Sequence, residues 1–84
     1  LVAAICAAPM ALGAWDLLEG KEVTCYPGCQ SGLNGGKYVK KRVVTDGNLI
    51  TANGPGAAVD FAFEIANYLC DEFVVKEVKK AMGY

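Results

Sequence analysis

The chain has 84 residues, 54% of them hydrophobic and 20% charged, with a net charge of −1, four cysteines and no histidine. That length supports one small domain whose core lies near the lower limit for independent stability. The near-neutral balance, with no basic run longer than Lys40-Lys41-Arg42, argues against nucleic acid as a main partner. Without histidine, Cys25-x3-Cys29 is at most half of a zinc site, so no metal or other cofactor is expected. Reduced thiols of a cytoplasmic protein are expected rather than a disulfide scaffold.

Leu1 to Ile5 is an apolar run suited to a buried parallel strand, and it delivers the chain to Cys6. Leu1 to Trp15 as a whole carries no positive start and, with Pro9 inside it and Asp16 behind, is too short to read as a signal peptide or a membrane span. Ala7 to about Leu18 favours helix, with Pro9 fitting its first turn and Gly20 its stop. Met10, Ala11, Ala14, Leu17 and Leu18 recur at helical spacing and are expected to face a sheet. A cysteine on the hinge between strand and helix projects from a sharp turn, where free amides and the positive helix end favour a thiolate. This is the geometry of a nucleophile elbow. On the hexapeptide Ala4-Ile5-Cys6-Ala7-Ala8-Pro9 alone, a small buried hydrophobe and a reactive thiol both stay open.

Glu22 to Tyr26 reads as a short strand broken by Pro27-Gly28, and the glycine-rich stretch to Lys37 as a loop. Its glycines match no phosphate-binding pattern. Arg42 to Thr45 and Asn48 to Ala52 flank Asp46-Gly47, a strong hairpin signal. Lys40-Lys41-Arg42 reads first as a solvated strand edge and second as an anion site. Asn53-Gly54-Pro55-Gly56 makes a tight corner that exposes backbone. A helix from Ala57 to about Cys70 is expected to bury Phe61, Ile65, Tyr68 and Leu69 and to solvate Asp60, Glu64, Asn67 and Asp71. A last helix, Glu72 to Met82, carries an i,i+4 pair between Glu72 and Lys76. The order strand-helix-strand-hairpin-helix-helix is α/β. Because the chain opens inside a strand without an initiator methionine, residues 1–84 are expected to be the carboxy-terminal part of a larger single domain.

The elbow A-I-C-A-A-P, then V-T-C-Y-P-G from Val23, V-V-T-D-G-N-L-I-T from Val43 and N-G-P-G from Asn53 together resemble the ThiJ/PfpI family. The likeness is to its parkinsonism-associated (DJ-one) branch and runs along essentially the whole chain, which corresponds to the second half of the family's usual length. It implies a flavodoxin-like three-layer sandwich, commonly homodimeric, with Cys6 as the reactive cysteine. The amides of Ala7 and Ala8 would hold an oxyanion, and Tyr26, Pro27, Gly54, Pro55 and Gly56 would wall the pocket. It also implies glyoxalase-type conversion of 2-oxoaldehydes or deglycation, with a small aldehyde or glycated molecule as substrate. Redox sensing under oxidative stress and chaperone-like protection are the alternatives, and an inactive half-domain is a third. Two departures stand out. Tyr26 occupies a position where some relatives have histidine, which removes any Cys–His dyad. The glutamate that the family sets beside the cysteine belongs to the half not represented here.

Overall fold

The computed structural model describes all 84 residues. Its regular elements are β1 (Val2–Ile5), α1 (Pro9–Ala14), β2 (Glu22–Val23), β3 (Lys37–Tyr38), β4 (Val43–Asp46), β5 (Leu49–Ala52), α2 (Ala58–Leu69) and α3 (Glu72–Met82). Short 3₁₀ turns fill Gln30–Gly32 and Pro55–Ala57. The class is α/β, as the alternation of elements predicts.

The main sheet has the order β1-β5-β4. β1 and β5 run parallel, with Val2 opposite Leu49 and Ile5 opposite Ala52; β4 and β5 form an antiparallel hairpin. Gly47 takes a left-handed φ of 59° at the first position of its two-residue loop, which only glycine adopts without cost. All four residues of the central strand β5 are buried, so its apolar run needs no alternation. α2 lies across this sheet. A second, two-stranded parallel sheet joins β2 to β3. The Asp46 carboxylate accepts a 2.8 Å hydrogen bond from the Glu22 amide and ties that pair to the hairpin. Leu18, Val23 and Ile50 are fully buried, each worth about 1.5–3 kcal/mol on transfer from water.

Four expectations change. The first helix covers only Pro9–Ala14, because Asp16 adopts a left-handed φ of 57° and the Leu17 amide turns back to the Leu12 carbonyl. Its buried residues are Pro9, Leu12 and Gly13; Met10, Ala11, Ala14 and Leu17 are exposed, and only Leu18 of the expected set is buried. The strand at Glu22 ends after Val23, since the Thr24 amide donates to Thr51 Oγ1 at 3.0 Å rather than to a neighbouring strand. On α2 the buried face differs from the expected one: Phe63 is its buried residue, and Asp60, Phe61, Glu64 and Ile65 are all half-buried. Thr45 Oγ1 donates to Glu64 at 2.9 Å and Arg42 pairs with Asp60, while Tyr68 and Leu69 are exposed. Glu72 and Lys76 form no ion pair; α3 is held instead by its Asp71 cap, which accepts from the Phe73 amide at 2.8 Å. At its far end, the Tyr84 ring meets Phe63 of α2 at 4.8 Å and its hydroxyl donates to Asp60.

α1 is seated by Gly13. A Cβ there would overlap the Gly32 carbonyl oxygen and lie 2.8 Å from the Asn34 amide. In an open helix Gly→Ala gains about 1 kcal/mol; here the clash is backbone on backbone and dominates. Gly13→Ala should therefore destabilise the chain by about 2 kcal/mol, read as a lower urea midpoint at unchanged slope. A raised midpoint would mean that the 30–34 loop yields freely.

Candidate functional site

Cys6 follows the last residue of β1, at the carboxyl end of a parallel pair, where α/β sheets place their ligands. Its φ of 66° is one of only two positive values among non-glycine residues. A side chain in that region costs about 1–2 kcal/mol, so the surroundings must impose it. Three hydrogen bonds do so. The Cys6 amide donates to the Ala52 carbonyl at 2.9 Å, continuing the β1–β5 ladder one residue past its end. The Tyr26 amide donates to the Cys6 carbonyl at 2.8 Å, and the Ala8 amide closes a turn onto Ile5 at 3.1 Å. The cysteine is thereby clamped on both of its peptide groups while its side chain stays half-buried.

The two elbow amides are not equivalent. That of Ala8 is engaged by Ile5, whereas that of Ala7 has no hydrogen-bond partner within the chain and is free for a bound oxygen. The helix that follows spans six residues, so the field it supplies at its amino end is that of fewer than two turns.

Tyr26 is drawn in beside Cys6 by its backbone, and its ring lies against Gly54. A Cβ on Gly54 would approach Tyr26 Cδ1 to 3.2 Å, so this glycine serves close approach rather than an unusual backbone. Cys6, Tyr26 and Gly54 thus share one corner. Pro27 follows Tyr26 on the exposed side, and Pro55 and Gly56 are exposed in the 3₁₀ turn. One contributor is absent from the sequence reading: Arg42 donates to the Gly56 carbonyl and pairs with Asp60 at 3.5 Å, pinning the N-G-P-G corner to β4. Its only signal is an arginine just before a strand whose partner strand leads into that corner.

None of the four cysteines is bridged. Cys25 is buried and Cys29 half-buried, while Cys70 is exposed at the end of α2 rather than part of the core. Burial, and then the neighbouring Cys29 thiol, push the Cys25 thiol above its ordinary 9.0. No three cysteine, aspartate or glutamate side chains converge to hold a metal ion. The most apolar hollow, about 430 Å³ between α2 and α3, contains none of the elbow residues. No helix is long and apolar enough to cross a membrane.

Comparison with known proteins bears on this corner. The family model described as the DJ-1/PfpI family matches residues 1–68. Drosophila melanogaster protein dj-1beta is 48% identical over 98% of this chain and 45% of its own length, and its crystal structure superposes with a TM-score of 0.91. The Parkinson disease protein 7 homolog of Danio rerio is 43% identical over 94% of the chain and 43% of its own length. The isonitrile hydratase of Pseudomonas putida is 41% identical over 99% of the chain and 37% of its own length. The chain therefore spans less than half of the curated relatives it matches.

The strain at Cys6 has a direct test. Cys6→Gly should be more stable than Cys6→Ala by about 1 kcal/mol, because only alanine keeps the left-handed penalty. Equal urea midpoints would mean that the elbow relaxes when the sulfur is removed.

Proposed function

This chain belongs to the DJ-1/PfpI family, and on that premise we propose that it carries the nucleophile of a cysteine-dependent protein converting 2-oxoaldehydes or reversing their adducts. The observation that supports this most is the clamped, left-handed Cys6 beside a free Ala7 amide. In the proposed step Cys6 Sγ, as thiolate, attacks the aldehyde carbon. The new S–C bond forms as the carbonyl electron pair moves to oxygen, which the Ala7 N–H receives. Protonation of that oxygen gives a hemithioacetal. Further proton transfer requires a carboxylic acid. The exposed Asp16 and Glu19 lie beyond α1, so the acid is expected from outside these 84 residues. Tyr26, Pro27, Gly54, Pro55 and Gly56 form the proposed wall. In place of histidine, the Tyr26 phenol is left to orient substrate or thiol. A thiol adding to an electrophilic carbon needs no cofactor. A cytoplasmic homodimer is part of the same proposal, as the family resemblance implies.

A second reading rests on the exposure of the same sulfur. The half-buried Cys6 is open to oxidation to sulfenic or sulfinic acid and would act as a sensor in a protective protein without turnover.

Methylglyoxal consumption by the full gene product decides between them. Cys6→Ser should lower it by roughly 10³-fold or more if the sulfur is the nucleophile. Turnover that survives Cys6→Ser removes the enzymatic reading from Cys6. Absence of turnover in both proteins, with peroxide oxidation concentrated at Cys6, supports the sensor.

A further inference from the structure

Next to Pro27 of the proposed wall lies a further cleft of about 390 Å³ that the elbow residues do not line. Lys40, Lys41 and Arg42 line one part of it, and Pro27, Gln30, Tyr38 and Asn53 the rest. The cationic cluster sits in a chain whose net charge is −1. Arg42 is paired with Asp60, and this is the one ion pair in the structure, so Lys40 and Lys41 have no carboxylate partner. The segment is fixed rather than trailing: Thr24 Oγ1 donates to the Lys41 carbonyl at 2.9 Å, and the Asn53 amide donates to the Arg42 carbonyl at 2.9 Å.

The cleft is joined to the elbow through two residues. Pro27 follows Tyr26, whose amide is bonded to Cys6, and Asn53 follows Ala52, whose carbonyl accepts from Cys6. Each is one Cα step, about 3.8 Å, beyond a direct partner of the cysteine. A substrate held at Cys6 that extends past Pro27 or Asn53 therefore enters the cleft the lysines line. Cations and amide donors without an internal acid partner are suited to an oxyanion.

We infer that this cleft is a subsite for an anionic group, a phosphate or carboxylate, carried by the electrophile that reacts at Cys6. The inference rests on the reactive-cysteine reading above and narrows its substrate class to charged 2-oxoaldehydes or adducts.

Alkylation rates separate the two. Iodoacetate and iodoacetamide both react with a thiolate, and their rate ratio at Cys6, normalised to N-acetylcysteine, cancels the thiolate fraction. Lysines without a carboxylate partner near the thiol favour the anionic reagent severalfold at low salt. The exposed Lys40 and Lys41 can be neutralised without touching the core, and Lys40→Gln/Lys41→Gln should bring the normalised ratio to about one. Inorganic phosphate at millimolar concentration and constant ionic strength should do the same; acetate acting where phosphate does not would assign the site to carboxylates. A normalised ratio near one in the native protein overturns the subsite. So does an excess that neither anion removes, which would belong to a diffuse field. A Cys6 slower than N-acetylcysteine with both reagents overturns the reactive-cysteine reading and the subsite with it.

Discussion

The interaction on which this structure depends is the parallel pairing of β1 with β5. It is a non-local contact that joins residues 2–5 to residues 49–52 and carries both strand ends to the same edge. Parallel pairs require a long connection, and everything from the elbow to the hairpin is that connection. The ladder then runs one bond further, from the Cys6 amide to the Ala52 carbonyl. At that point the strand direction is still fixed by β5 while the chain must turn into α1, and the left-handed Cys6 absorbs the difference. The strain is a consequence of sheet register rather than of the cysteine itself.

The site is assembled from three separate strand ends for the same reason. Tyr26 arrives because β2 stops early and gives its later amides to Thr51 and Cys6 instead of to a neighbouring strand. Gly54 arrives because β5 ends beside β1, and Arg42 holds the corner that follows. No side chain other than the sulfur need be reactive in this arrangement. Backbone groups set the angle and free one amide, which leaves the proposed chemistry to a thiol and an acid.

Local signals were legible in the sequence where a short motif decides its own geometry. Asp46-Gly47 marked the hairpin and Ala4-Ile5-Cys6-Ala7-Ala8-Pro9 the hinge. What escaped was set by partners distant in the chain. α1 ends early because Gly13 is pressed against Gly32 and Leu17 folds back on Leu12. The buried face of α2 differs from the periodic one because Asp60 pairs with Arg42, just before β4, and Glu64 with Thr45 on β4, partners no helical periodicity contains. Lys40 and Lys41 read as a solvated edge; that they share a cleft with Pro27 and Asn53 follows only from the three-dimensional fold.

The account turns on whether this clamped geometry makes Cys6 the reactive thiol of the chain. Residue-by-residue iodoacetamide labelling of the native protein near neutral pH, followed by mass spectrometry, measures that most directly. Exposure alone would rank Cys70 first, since Cys6 is only half-buried and Cys25 is both buried and harder to ionise. The elbow account predicts that Cys6 is alkylated before Cys70 despite its lower exposure, with Cys25 last. Labelling that follows exposure, Cys70 first and Cys6 level with Cys29, would contradict it.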